Sequence, residues 1–219
     1  MAGLPNLEDL WTDESPLGLS NLQLLTVSSC KSLSKVINSR SLTKLHKLHT
    51  LTVQACISVQ EIFDLDGLGA DANIETLSEL NTIRIVGLVS LRCIWNKNPC
   101  GIVKFHNLKK LHVYNCHNLR FLFFPSMVQS LAQLRELCVW NCKNMEAIIM
   151  EEEGLRVETS ETLVFMMLTN LQLANLESLT CFSRKKCKID FFFFFFGFII
   201  EDLLRFIHPC NAKDDIVFV

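Results

Sequence analysis

The stretch LKKLHVYNCHNL, residues 108–119, decides the fold of this chain. Its apolar side chains alternate at Leu111 and Val113 and then recur every third position at Cys116 and Leu119. Alternation with a period of two predicts a short β-strand whose apolar side chains point to one side. The later residues, three apart, close the backbone around the same apolar core. The stretch therefore predicts one coil of a solenoid.

The same ladder of apolar positions occurs six times along the chain. Successive copies begin 26, 32, 28, 26 and 34 residues apart, close to the period of leucine-rich repeats. They start at Leu19, Leu45, Leu77, Phe105, Leu131 and Phe165. A single coil cannot bury its apolar face alone, so the coils must stack on their neighbours. We therefore expect an α/β solenoid, a curved leucine-rich-repeat array with a short parallel β-sheet on its concave face and irregular or short helical segments on its convex face.

This pattern divides the chain into three parts. Residues 1–16 match the second half of a repeat, and residues 17–182 hold six repeats. The position after each strand reads Cys, Cys, Leu twice, which indicates two tandem blocks of three repeats. Residues 183–219 form an atypical tail with six consecutive phenylalanines, which is either disordered, an artefact of the gene model, or an apolar terminal segment that is buried or lies on a membrane surface. We expect the chain to be a fragment of a longer array.

Composition narrows the classes of partner. The chain has 219 residues, 49% of them apolar, and a formal net charge of −2, so it lacks the basic surface that nucleic-acid binding requires. The N-terminus has no basic and apolar leader, which predicts a cytoplasmic protein, with a nuclear location as an alternative. The longest apolar run, residues 191–200, is half as long as a membrane-spanning helix. We expect no nucleic acid, no membrane and no cofactor.

Four cysteines occupy the turn after the strand, one in each of four repeats. They are Cys30, Cys56, Cys116 and Cys142. Leucine-rich repeats place a buried Asn or Cys at this turn, where it hydrogen-bonds backbone groups. We expect a structural role for these thiols and no metal site, because they lie on different coils.

The concave face carries the candidate binding residues. The solvent-facing strand positions stack into columns, and this places Tyr114 next to Trp140. Exposed Trp, Tyr and Arg side chains are typical of interface hot spots. The predicted partner-binding residues are Arg84, Lys109, Lys110, His112, Tyr114, Arg135 and Trp140. A simpler interpretation is that the two aromatic rings only shield the coil edges.

Catalysis has one weak candidate on the same face. Cys138 is expected on the outer face of its strand, in the column of His112, and a Cys–His pair is a possible nucleophile and base. No third orienting residue or oxyanion site accompanies the pair. The sequence therefore predicts that the chain is not an enzyme.

Two stretches resemble a known family. Residues 108–119 and the stretch LRELCVWNCKNMEAII at residues 134–149 are similar to the C-terminal repeats of plant nucleotide-binding leucine-rich-repeat disease-resistance proteins of the coiled-coil class. The resemblance covers about residues 4–182. It implies a domain that senses a pathogen effector or a guarded host protein and that holds the receptor's nucleotide-binding domain inactive at rest. The chain has no G-x-x-x-x-G-K-[ST] phosphate loop, so nucleotide binding is not expected here.

The sequence is also compatible with two other functions. One is a leucine-rich-repeat substrate adaptor of a ubiquitin ligase, which needs an F-box-like helical module upstream. The other is a non-functional receptor fragment, since a run of phenylalanines favours aggregation.

Overall fold

The computed structural model describes residues 1–11, 19–69, 77–150, 163–183, 187–189, 199–200 and 216–218. Its strands are β1 (Leu24–Ser28), β2 (Lys35–Ile37), β3 (Thr50–Gln54), β4 (Glu61–Phe63), β5 (Thr82–Val86), β6 (Cys93–Trp95), β7 (Lys110–Tyr114), β8 (Glu136–Trp140), β9 (Ala147–Ile149), β10 (Leu163–Phe165), β11 (Asn170–Ala174), β12 (Cys181–Ser183), β13 (Cys187–Ile189), β14 (Ile199–Ile200) and β15 (Ile216–Phe218). The described helices are one turn of α-helix, α1 (Ser39–Leu42), and two 3₁₀ helices, Leu19–Asn21 and Pro125–Leu131.

One parallel sheet runs the length of the coil stack. Its order is β1-β3-β5-β7-β8-β11-β14, and each of the six ladders contributes one five-residue strand. The Leu-x-apolar pairs alternate buried and outward-facing side chains along these strands, as in β7. The predicted leucine-rich-repeat solenoid with a parallel β-sheet is confirmed, and the described residues contain few helices.

Short strands also form on the other side of the coils. The sheet β2-β4-β6 and the pair β9-β12 are built from strands of only three residues. The sequence predicts irregular or short helical segments between the long strands, and the structure adds these three-residue strands to them. Strands this short have too little pattern to be recognised, and their backbone pairing comes from the stacking of neighbouring coils.

The core follows the apolar ladder. All but four of the ladder positions are buried. The four half-buried positions, Leu19, Leu22, Leu176 and Leu179, belong to the first and last repeats. Among the described residues, the first repeat is flanked on its outer side only by the partial repeat of residues 1–11 and the last by the two-residue strand β14, so their ladders stay partly open.

A left-handed residue ends each long strand and turns the chain. The positions are Ser29, Ala55, Gly87, Asn115, Asn141 and Asn175, with φ between 54° and 67°. The N–H of this residue donates to the last strand carbonyl of the next coil, as from Asn115 to Trp140 at 3.0 Å. The turns therefore form a hydrogen-bonded spine along one edge of the sheet.

The four predicted turn cysteines are fully buried beside this spine. Each thiol donates to the carbonyl two residues earlier, with Sγ···O distances of 3.4–3.5 Å. The Cys30 N–H also donates to the Cys56 sulfur at 3.4 Å.

The first residues continue the pattern of a repeat. Trp95 donates from Nε1 to the Leu122 carbonyl at 3.1 Å, and Trp11 donates from Nε1 to the Val36 carbonyl at 2.5 Å. Val36 and Leu122 occupy the same ladder position in their repeats. The two tryptophans thus bind neighbouring coils in the same way. The division at residues 16 and 182 stays a prediction, and the phenylalanine run at 191–196 lies outside the described residues.

Candidate functional site

The parallel register builds two columns at the middle of the concave face. Arg84 pairs with His112, and His112 with Cys138, on β5, β7 and β8. The next outward-facing position brings Tyr114 of β7 beside Trp140 of β8. The predicted neighbourhood of the two aromatic residues is therefore present.

The two rings meet edge to face. Their centroids lie 6.0 Å apart at an interplanar angle of 86°, a favourable geometry for aromatic pairs. Trp140 is 40% exposed, whereas Tyr114 is half-buried. The pair presents one open indole supported by a covered phenol ring.

Arg84 and His112 hold Tyr114 from two further sides. The Arg84 guanidinium carbon lies 5.7 Å from the Tyr114 ring centroid, within the range of a cation–π contact. The His112 ring centroid lies 6.1 Å away. Burial raises the pKa of the Tyr114 hydroxyl, so the phenol stays neutral at physiological pH.

Glu136 links this cluster to Lys110. Its carboxylate accepts from Lys110 Nζ at 2.7 Å and lies 3.3 Å from His112 Nε2. The second contact is close in distance but not aligned as a hydrogen bond. The pKa of Glu136 is lowered by Lys110 and His112 against the opposing effect of burial. Glu136 is absent from the predicted site, although it follows Lys110 in the same column.

Burial decides the protonation of His112. It lowers the pKa of the imidazole below its usual value, and the nearby cations Arg84 and Lys110 add to this, while Glu136 opposes it. His112 is therefore neutral at physiological pH.

Cys138 corrects one expectation. It stands in the outward-facing column, but it is only 4% exposed. Its thiol contacts the Tyr114 hydroxyl, and burial and Glu136 raise its pKa. A protonated thiol beside a neutral imidazole is not an activated nucleophile.

The predicted basic residues do not all surround the aromatic pair. Lys110 stands at the start of β7 and Tyr114 at its end, about 13 Å along the strand. Lys109 and Arg135 directly precede β7 and β8. The structure brings together Arg84, His112, Tyr114 and Trp140, and it leaves Lys110, like Lys109 and Arg135, at the opposite end of the strands.

The described residues hold neither a metal-ligand cluster nor a membrane-spanning helix. No group of three or more His, Cys, Asp or Glu side chains comes together as a metal site in that part of the chain. Among the same residues, no helix is both long and apolar enough to cross a membrane.

Comparison with known proteins bears on the repeats. A family model described as "Plant disease resistance protein RPS2-like, leucine-rich repeats" matches residues 3–143, more than half of the chain. Comparison with curated proteins gives no significant match. Among solved structures, the leucine-rich repeat domain of the type III effector XCV3220 (XopL) is similar, with 17% sequence identity and a TM-score of 0.40. That match covers 91% of this chain and 69% of the other.

Proposed function

Because the chain belongs to the leucine-rich repeats of RPS2-like plant disease resistance proteins, we propose that it is the protein-recognition domain of an intracellular plant immune receptor. Leucine-rich repeats are interaction modules, and their extended concave surfaces bind proteins. In this role the chain recognises a pathogen effector or a guarded host protein and contacts the receptor's nucleotide-binding domain. It carries out no catalysis, and the receptor acts in the cytoplasm.

The observation that carries the proposal is the fixed aromatic pair on the concave face. Trp140 is exposed, yet its ring packs against Tyr114, and Tyr114 itself contacts Arg84 and Cys138. Side chains that are ordered before binding lose less conformational entropy when a partner arrives. Tryptophan, tyrosine and arginine are the residues most often found in hot spots. We define the Tyr114 platform as Arg84, His112, Tyr114, Cys138 and Trp140.

The four turn cysteines serve the scaffold in this proposal. Their thiols lie in the core and hydrogen-bond the turn carbonyls, away from the concave surface. They fix the strand ends, and the strand ends position the platform.

The test is a pull-down in which a full-length receptor that contains this chain is the bait, and the amount of each bound partner is measured. The variants are Trp140→Ala and Tyr114→Ala, probed against the receptor's nucleotide-binding domain and a matching effector or guarded host protein. We expect each to weaken at least one interaction about tenfold or more, the usual effect of removing a hot-spot side chain.

The matched control is Leu24→Ala. Leu24 is 60% exposed on β1 of the same sheet, so it removes a similar apolar contact far from the platform. Unchanged binding by Trp140→Ala and Tyr114→Ala to both classes of partner would show that the platform is not the recognition surface.

A further inference from the structure

The concave surface around the Tyr114 platform has an excess of positive charge. Of the outward-facing positions on β1, β3, β5, β7, β8 and β11, only Glu136 is acidic, and its carboxylate is paired with Lys110. Within the described residues, Arg84, Lys109 and Arg135 form no ion pair. The surface therefore offers cations whose charge is not balanced locally.

Arg84 is the best placed of these cations. It is exposed, and its guanidinium rests over the Tyr114 ring. Stacking leaves the N–H groups at the guanidinium edge available, and a planar guanidinium binds a carboxylate through two parallel hydrogen bonds. The cation–π contact holds the group in place, so little side-chain freedom is lost when a carboxylate binds.

The open indole of Trp140 lies next in line. The Arg84 Cζ atom lies 5.7 Å from the Tyr114 ring centroid, and the Tyr114 centroid lies 6.0 Å from that of Trp140. Adjacent side chains of an extended peptide that point to the same side are about 6–7 Å apart. A carboxylate on Arg84 and an apolar group on Trp140 are therefore within reach of one short segment.

We propose that the Tyr114 platform binds an acidic segment of a protein partner, with a carboxylate on Arg84 and a nearby aromatic or apolar side chain against Trp140. This inference rests on the proposed function, because it names the chemistry that the recognition surface selects. Lys109 and Arg135 at the other end of the strands extend the same preference along the segment.

The experiment uses three synthetic polymers and the full chain. A glutamate–tyrosine copolymer carries both features, polyglutamate carries only the charge, and a lysine–tyrosine copolymer reverses the charge. Binding is followed by surface plasmon resonance at two salt concentrations. We expect the glutamate–tyrosine copolymer to bind tightest, polyglutamate to bind more weakly, and the lysine–tyrosine copolymer not to bind. The affinity for both acidic polymers should fall at high salt, because exposed charges are screened.

Two variants separate the two contacts. Arg84→Gln should weaken the binding of both acidic polymers about tenfold, since it removes a charge-assisted hydrogen-bond pair. Trp140→Ala should weaken the binding of the glutamate–tyrosine copolymer and leave that of polyglutamate unchanged. Arg92→Gln is the control. Arg92 is an exposed arginine of the same repeat, and it directly precedes β6, which belongs to the β2-β4-β6 sheet and not to the concave sheet.

Each result decides the question. If the lysine–tyrosine copolymer bound as tightly as the glutamate–tyrosine copolymer, the proposed preference for an acidic segment would be wrong. The same conclusion would follow if Arg84→Gln and Arg92→Gln lost equal affinity for the acidic polymers. That outcome leaves the proposed function standing if Trp140→Ala still reduces partner capture. Circular dichroism of each variant verifies that the fold is retained.

Discussion

The half-buried imidazole of His112, beside Tyr114 on the concave face, makes the stability of the fold depend on pH. Within the described residues, the Nε2 atom of His112 is buried without an aligned hydrogen-bond partner, and Glu136 is its nearest carboxylate. Burial, Arg84 and Lys110 all disfavour its protonated form. In the unfolded chain the same group titrates near its ordinary pKa of about 6.5.

We expect the free energy of unfolding to fall on acidification below pH about 6.5. The folded pKa lies below the unfolded pKa, so the unfolded chain binds the proton first. The contribution is fully present above the unfolded pKa and is lost as pH falls toward the folded one. Urea unfolding between pH 7.5 and 5.5 measures it.

The His112→Gln variant should show a smaller loss over the same range. His46→Gln is the matched control, because His46 is exposed. Equal pH slopes for wild type and His112→Gln would contradict the account.

Residue identity alone could not predict how these side chains share the surface. The register of Tyr114 and Trp140 follows from the ladder, and so does the placement of Arg84. The burial of Cys138 does not, because it depends on the positions of neighbouring side chains such as Tyr114, which contacts the Cys138 thiol. Glu136 lies in a third column, after Lys110, so the two columns that contain the predicted residues do not indicate its role.

Thiol labelling separates the scaffold cysteines from the exposed Cys100. Cys100 is exposed, whereas Cys116 and Cys142 are fully buried. We expect a maleimide to modify Cys100 at least about tenfold faster than either buried thiol, because the buried thiols react only when the structure opens. Peptide mass spectrometry reads the rates, and addition of urea should equalise them. Fast labelling of Cys116 in the native chain would exclude its structural role.

At the scale of elements, the turns after the strands depend on a left-handed residue. Glycine and asparagine adopt this backbone more readily than alanine or serine. The chain nevertheless places Ser29 and Ala55 there in the first two repeats, with φ of 56° and 54°. These two turns are therefore less stable locally than the turns at Asn115 and Asn141, where the Asn141 amide also donates to the Asn115 side chain at 2.6 Å.

Exchanging glycine and alanine tests this directly. Gly87→Ala should lower the free energy of unfolding by about 1 kcal/mol. An added Cβ has space, with the nearest atom 3.9 Å away, so the loss reflects backbone strain. Ala55→Gly should raise the free energy of unfolding by up to about 1 kcal/mol. The gain is reduced by the greater conformational entropy of glycine in the unfolded chain.

The control for both exchanges is Gly69→Ala. Gly69 has open space and no left-handed backbone, so this change should not destabilise the protein. Chemical unfolding of the three variants supplies the comparison. A gain in stability for Gly87→Ala would contradict the account.

The period-two pattern was sufficient to predict the long strands but not the short ones. Five-residue strands such as β7 contain two inward apolar positions and a polar partner between them. Strands such as β2 and β9 contain three residues, of which two or three are buried. Alternation cannot appear in so short a segment, and pairing with the next coil determines the structure.

At the scale of the molecule, stability depends on the position of a coil in the stack. Each coil contacts only its neighbours, so central coils contribute more buried surface than end coils. Leu22 and Leu108 occupy the same ladder position, but Leu22 is half-buried and Leu108 is fully buried.

We expect Leu108→Ala to reduce the free energy of unfolding by about 2–5 kcal/mol, as for other buried leucines. Leu22→Ala should cost less than half as much, because its side chain already contacts water. Denaturant unfolding followed by circular dichroism measures both. Equal losses would show that the first coil is packed as fully as the central one.

The three tryptophans stand in three different environments, and this gives the chain built-in optical reporters. Trp95 is 1% exposed and stacks on Phe63 with ring centroids 4.5 Å apart, whereas Trp140 is 40% exposed. Trp95 should emit at shorter wavelength and resist collisional quenchers, and Trp140 should emit at longer wavelength and be quenched readily. A variant that retains only Trp140 therefore reports occupancy of the concave face by its emission, and a variant that retains only Trp95 reports melting of the core.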